Sequence, residues 1–209
     1  HAGASSYVPK SDIVDELADT VWSVLDLAEA NRSRTELVGH LADRETRFRL
    51  STDVDLISPL VAFVQEGLEA IGFANEGTRA QIGIALMEAL ANAMVRGNLE
   101  VGSELRRTDR DAYDALIAER MREEPYRSRK VEFVARESTE RVEYRIRDEG
   151  RGFDPVRVPD PTAAENLLAV SGRGIMLMRT FMDEVEFGPR GNEVTLTRRV
   201  SADPADEGT

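Results

Sequence analysis

The spacing of apolar residues along the chain predicts both helices and strands. From Asp12 to about Asp43 there is no proline, and apolar residues recur at steps of three and four, which predicts one long amphipathic helix. Asn31 lies on the apolar stripe, at a heptad position where an asparagine can fix the register of a dimer. Two interpretations stay open: the helix packs on its own domain, or it pairs with a second copy.

The following segments switch between the strand period and the helix period. Residues 46–51, TRFRLS, alternate like a strand, whereas Val54–Ile71 and Thr78–Arg96 have helical spacing. Gly72 ends the first of these two helices. The stretch from Leu99 to Arg129 is strongly charged and contains a predicted surface helix in DAYDALIAERMREE.

Two predicted hairpins and one more helix complete the pattern. The first hairpin joins VEFVARES to RVEYRIR, and the second joins Val185–Phe187 to Glu193–Val200. Between them lie a proline-rich loop, Pro155–Ser171, and a helix from Gly174 to about Asp183. The order predicts an α+β fold: a two-layer α/β sandwich in which helices cover one face of a mixed sheet.

Composition excludes several kinds of site. The 209 residues carry a formal net charge of −12, which argues against a nucleic-acid-binding surface. There is no cysteine, and His1 and His40 are the only histidines, so thiolate and histidine metal sites are not expected. No apolar run approaches the roughly 20 residues of a membrane helix. We therefore expect a cytoplasmic protein without membrane association.

The segment MEALANAMVRGN, residues 87–98, carries the first candidate site. Glu88 and Asn92 are one helical turn apart, so they share a face of an otherwise apolar helix. The simpler interpretation is a hydrogen-bonded polar seam against another element. The functional interpretation is a carboxylate that accepts a proton and an amide oxygen that holds a phosphate-bound metal. Gly97 can end the helix and admit a close ligand.

Two glycine-containing segments carry the other candidate sites. In RIRDEGRGFDP, Asp148 is in phase with Ile146 and therefore points to the apolar face, where a carboxylate needs a donor such as an adenine amino group. Gly150 and Gly152 allow the chain to lie close against a flat ring. SGRGIMLMRTF begins a helix whose free N–H groups can hold phosphate. The simpler interpretations are a strand-end turn and a helix start without a ligand.

In this order the three segments resemble the N, G1 and G2 boxes of the GHKL ATPase superfamily, which includes the histidine kinases. EALANAMVRGN is similar to the first box, DEGRGF to the second and GRGIMLM to the third, and the resemblance covers about Thr46–Val200. The short connection between the second and third boxes is most similar to the bacterial anti-sigma-factor serine kinases. The resemblance implies a Bergerat-type ATP-binding fold that uses ATP and Mg²⁺.

The resemblance also implies a role for each matching residue. Glu88 would be the catalytic base, Asn92 would hold Mg²⁺, and Asp148 would recognise adenine. The remaining binding positions shape the base pocket or close on the phosphates: Gly150, Gly152, Gly172, Arg173 and Gly174, with Pro155–Ser171 as a lid. Arg96 stands where many relatives have histidine, and it can still contact a phosphate. The charged insert Leu99–Arg129 is longer than in compact kinases of this type.

The N-terminus resembles a second family. GASSYVPKSD is similar to the end of a response-regulator receiver domain, with Lys10 at the phosphate-contacting position and Tyr7 at the aromatic switch position. The predicted organisation is a receiver remnant and linker helix at 1–43, an ATPase domain at 44–201 and a disordered tail at 202–209.

Three functional interpretations follow. The chain is a serine/threonine kinase that acts on an anti-anti-sigma-like or sigma-like partner and forms a homodimer. Alternatively, it is a non-catalytic ATP-binding and dimerisation module of a response regulator. In the third, weakest interpretation it is a histidine kinase with His40 as the phosphoacceptor, but too few residues follow His40 for the second helix of a dimer bundle.

Overall fold

The computed structural model describes residues 21–26, 29, 37–38, 40–154 and 173–200. The chain divides into two units, His1–Leu41 and Ala42–Thr209. In the first unit, residues 21–26 and 37–38 are helical. The receiver-like segment with Tyr7 and Lys10, the predicted lid and the predicted tail all lie outside the described residues.

A five-stranded sheet forms one layer of the second unit. Its strands are β1 (Asp43–Ser51), β2 (Lys130–Ser138), β3 (Arg141–Arg147), β4 (Glu184–Phe187) and β5 (Glu193–Arg199). They are arranged in the order β1-β2-β3-β5-β4. The predicted α+β class is confirmed.

The prediction of a mixed sheet is wrong, because every pair of neighbouring strands described is antiparallel. β3 and β4 run in the same direction, as expected for strands joined through a helix. They are not neighbours, however, since β5 turns back from β4 and lies between them. β1 also begins earlier than predicted, at Asp43.

Three helices form the second layer: α1 (Ile57–Ala70), α2 (Glu76–Ala91) and α5 (Arg173–Phe181). A short 3₁₀ turn, Val54–Leu56, precedes α1. The Asn75 side chain caps α2 by accepting a hydrogen bond of 2.9 Å from the Thr78 amide. α2 packs against both α1 and α5. The core lies between these helices and the sheet, where alternate strand residues such as Phe133, Tyr144 and Leu196 are fully buried.

The helix predicted from Thr78 to Arg96 changes its winding at the candidate site. It is α-helical to Ala91, and Asn92–Asn98 then forms a wider π-helical segment. The Leu99 amide accordingly donates to the carbonyl of Met94, five residues back, at 2.9 Å. Wide turns of this kind are frequent at functional sites because they change the direction of the following side chains.

The charged insert Leu99–Arg129 contains two helices, α3 (Ser103–Thr108) and α4 (Arg110–Arg120). The predicted surface helix corresponds to α4, and α3 was not predicted. The insert has its own apolar contacts with Val95, Leu99 and Val101 at the end of the π-helical segment. The insert side chains that pack there are Tyr113, Leu116, Ile117, Met121 and Tyr126, and Val54 joins them from the turn before α1. No helix in the described part of the chain is long and apolar enough to cross a membrane.

Candidate functional site

A cavity of about 510 Å³ lies between the helical layer and the end of β3. Its wall includes the apolar side chains of Ile146, Met178 and Val194 and the polar side chains of Asn92 and Asp148. Volume and lining are those of a pocket for a small organic ligand, which is mostly apolar with a few polar groups. Asn92 and Asp148, from two distant candidate segments, thus border the same space.

Asp148 supplies a buried acceptor at this cavity. Asp148 is 7% exposed, and its Oδ1 accepts a hydrogen bond of 2.8 Å from the Gly150 amide. Burial raises the pKa of this carboxyl to about 6, while the Gly150 hydrogen bond and the charge of Arg129 act in the opposite direction. Among the described residues no side chain donates a hydrogen bond to this carboxylate, so it retains capacity to accept one from a ligand.

Glycines allow two chain segments to approach each other next to Asp148. A Cβ atom at Gly97 would collide with the Asp148 carboxylate, and one at Gly150 would collide with the Gly97 carbonyl. Gly152 has a φ of +72°, and a side chain there would meet the Arg190 carbonyl. The predicted glycines therefore lie where close backbone packing forms this end of the cavity, with Gly152 in its wall.

Glu88 and Asn92 face the start of α5. A Cβ atom at Gly174 would lie 2.6 Å from Oε2 of Glu88 and 3.5 Å from Nδ2 of Asn92. Both side chains belong to half-buried residues. The first and third candidate segments are therefore in contact, with Glu88 and Asn92 on the same face of the helix.

The other predicted binding residues have different positions. Arg96 is exposed and borders the cavity. Arg173 is exposed at the first position of α5, and neither it nor Glu88 is among the described residues of the cavity wall. Gly172 lies outside the described residues.

Two asparagines that sequence reasoning did not select hold the Asp148 loop. The Asn192 side chain donates to the Asp148 carbonyl at 2.9 Å. The Asn98 side chain accepts from the Glu149 amide at 2.8 Å and donates to the Thr52 hydroxyl at 2.9 Å. Both asparagines end an RGN tripeptide, at 96–98 and 190–192. This repeated tripeptide was the available sequence signal.

The donor set is compatible with a magnesium ion only in the presence of phosphates. Within the described ranges there is no group of three or more His, Cys, Asp or Glu side chains able to hold a metal. Asn92 offers one amide oxygen at the cavity wall. Mg²⁺ commonly takes one or two protein ligands and completes its octahedron with phosphate and water oxygens.

The two-layer sandwich and a cavity that ends at a buried carboxylate acceptor are compatible with a nucleotide-binding domain. Residues 50–198 match the family model of the histidine kinase-like ATPase domain, and this range is most of the 209-residue chain. The chain therefore belongs to the histidine kinase-like ATPase family, and its ligand is ATP. A comparison with curated proteins gives no match. The predicted GHKL resemblance is confirmed.

Proposed function

We propose that this ATP-binding signalling module is a serine/threonine protein kinase of the anti-sigma-factor type. Its partner would be an anti-anti-sigma-like or sigma-like regulatory protein, and its activity would lie downstream of a receiver domain. One arrangement supports the proposal above all: Asn92 and Asp148 share the cavity, while Glu88 lies beside Asn92 against Gly174. A nucleotide whose base contacts Asp148 would then direct its phosphates towards Glu88.

Each residue has a chemical task in this proposal. Asp148 accepts a hydrogen bond from the adenine amino group, and the Asn92 amide oxygen holds Mg²⁺, which neutralises phosphate charge when bound. Glu88 accepts the proton of the partner's hydroxyl group. That hydroxyl oxygen bonds to the γ-phosphorus, the bond from the γ-phosphorus to the β–γ bridging oxygen breaks, and ADP leaves.

A second candidate function is ATP binding without phosphoryl transfer. Its supporting observation is that, in the described part of the chain, Glu88 packs on Gly174 and does not border the cavity. In such a module bound nucleotide would control dimerisation or partner binding. Homodimerisation through the N-terminal helix and a cytoplasmic location are part of both proposals.

Phosphoryl transfer by the parental protein separates these functions, and two substitutions test the assigned residues. We expect Asn92→Ala to remove Mg²⁺-dependent ATP binding, and Glu88→Ala to keep ATP binding but lose phosphoryl transfer. Calorimetry with ATP, ADP and GTP, with and without Mg²⁺, measures binding, and labelled ATP with candidate partners measures transfer. Glu66→Ala, an exposed glutamate on α1, is the matched control. Transfer by Glu88→Ala at the parental rate would contradict the assigned base, and full Mg²⁺-dependent binding by Asn92→Ala would contradict the metal ligand.

A further inference from the structure

The last residue of the charged insert reaches the loops that form the nucleotide cavity. Arg129 Nη1 donates to the Asn98 carbonyl at 2.6 Å, and its Nη2 lies 3.0 Å from Oε1 of Glu100. Its side chain is 16% exposed. Because Asn98 also binds the Glu149 amide, Arg129 is connected to the residue next to Asp148.

The insert fixes the position of this guanidinium. Arg120 and Arg129 both lie over the ring of Tyr126, with their guanidinium carbons 4.8 and 5.1 Å from the ring centroid. Arg120 also donates to the Glu100 carbonyl at 2.8 Å. Two arginines, one aromatic ring and one carboxylate therefore form a connected group between α4 and the cavity.

Glu100 completes the connection from the cavity side. It borders the cavity with a left-handed backbone, φ 54°, which a residue other than glycine keeps only when its surroundings hold it. Its Oε2 lies 3.2 Å from Nε of Arg151, which stands between the two glycines of the Asp148 loop. Glu100 thus links Arg129 with the loop that carries Asp148.

Many charges surround the Asp148 loop. On the cavity side they are Arg96, Glu100, Arg151 and Glu193. On the opposite side they are Arg49, Lys130, Glu132, Arg147, Glu149 and Arg190. Among the described residues, Arg129 is nevertheless the cation whose charge lowers the pKa of Asp148, against the effect of burial.

We propose that Arg129 is a positioning residue for nucleotide recognition: Asn98, Glu100 and Tyr126 hold its guanidinium beside the Asp148 loop, where its positive charge favours the carboxylate that receives the adenine amino group. This inference rests on the proposed role of Asp148 as the adenine acceptor. It also gives the insert a function: α4, Tyr126 and Glu100 hold an arginine at the base-binding end of the cavity.

The pH dependence of ADP binding tests the inference. Calorimetry across about pH 5 to 8 spans the ionisation of a carboxyl group whose pKa is raised to about 6. We expect Arg129→Gln to move the binding midpoint upwards by about 1 pH unit, because a cation near a carboxylate favours its ionised form. Arg129→Lys keeps the charge and should leave the midpoint near that of the parent. Arg122→Gln, an exposed arginine of the insert, is the control.

A purely structural arginine would give a different result. Arg129→Gln would then lower ADP affinity equally at every pH, and an unmoved midpoint would overturn the inference. If Arg129→Gln does not fold, Tyr126→Leu removes the ring under the guanidinium and should move the midpoint in the same direction, by less. An unmoved midpoint in that variant would overturn the inference equally.

Asp148→Asn separates this inference from the proposal on which it rests. If Asp148→Asn binds ADP with the parental affinity and pH profile, the assigned role of Asp148 is wrong. If Asp148→Asn loses the pH dependence while Arg129→Gln keeps the parental midpoint, only the role of Arg129 is wrong.

Discussion

Two buried carboxylates lie at opposite ends of the sheet and have very different surroundings. Glu137, 2% exposed, lies opposite the start of β3, whereas Asp148, 7% exposed, directly follows its end. Oε2 of Glu137 pairs with Nε of Arg44 at 2.6 Å, and its Oε1 accepts from the Tyr144 hydroxyl at 3.0 Å. The Asp148 carboxylate accepts from the Gly150 backbone amide, and no side chain in the described part of the chain donates to it.

The difference separates a structural carboxylate from one that is available to a ligand. Burial and the neighbouring Glu137 carboxylate raise the pKa of Tyr144 well above its ordinary value, so its hydroxyl stays a donor. Each Glu137 oxygen thus has a protein partner. Asp148 is buried with fewer hydrogen-bond donors, which is unfavourable for the stability of the protein. The same carboxylate can therefore accept a hydrogen bond from a ligand.

The largest expected effect is on stability, at Glu137. Glu137→Leu leaves Arg44 and the Tyr144 hydroxyl without their acceptor, and we expect unfolding to require about 3 kcal/mol less free energy. Urea denaturation measures this change. ADP affinity of the folded fraction should stay parental, because the substitution lies at the other end of the sheet. A large loss of ADP affinity at full folding would contradict the separation of the two ends.

Asp148→Asn should lower ADP affinity and leave stability unchanged, the opposite of Glu137→Leu. Loss of a hydrogen bond to a charged acceptor removes about 2 kcal/mol of binding free energy, or roughly 30-fold in the ADP dissociation constant. Stability at neutral pH should not fall, because the substitution removes a buried charge. Parallel urea and calorimetric titrations test both points. A destabilisation as large as that of Glu137→Leu would show that Asp148 is a structural residue.

The local pattern of the chain predicted much of the fold. Period-2 alternation placed Val142, Tyr144 and Ile146 on the buried face of β3, and it placed Asp148 in phase with them, as found. The helix of the first box was predicted because apolar spacing persists from Thr78. Its π-helical end, Asn92–Asn98, was not predicted, because the wider winding depends on tertiary contacts that local apolar spacing does not reveal.

Polar contacts between residues that are distant along the chain could not be predicted from the sequence. Arg129 and Glu100 belong to a charged stretch in which many pairings are equally compatible with the composition. Only the folded insert selects the one in which Arg129 contacts Asn98. Likewise Asn98 and Asn192 converge on one loop from different elements. Strand order could not be predicted either, because no local sequence pattern indicates that β5 lies between β3 and β4.

Titration of Asp148 should change ADP affinity and protein stability in opposite directions as pH rises. The pKa of this carboxyl in the folded protein is raised from 3.8 to about 6, so the folded state binds a proton more tightly than the unfolded state. The contribution of Asp148 to stability therefore falls as pH rises through this window. ADP affinity should rise over the same window, up to about tenfold per pH unit, because adenine requires the ionised form.

This pH effect is measured as a difference between the parent and Asp148→Asn. Subtracting the profile of the variant removes the titration of all other carboxyl groups. The two difference curves, for unfolding free energy and for ADP binding, should slope in opposite directions. A flat difference curve for ADP binding would mean that Asp148 titrates without contacting the nucleotide.

The smallest expected effect is that of Tyr144→Phe, which removes one donor from the Glu137 network. The carboxylate keeps its ion pair with Arg44, so we expect a loss of about 1 kcal/mol in unfolding free energy and no change in ADP affinity. Tyr113→Phe, in the insert, is the matched control in urea denaturation. A loss equal to that of Glu137→Leu would mean that the Tyr144 hydroxyl, and not Arg44, keeps the carboxylate buried. No loss at all would mean that the ion pair with Arg44 is sufficient to stabilise the buried Glu137 carboxylate.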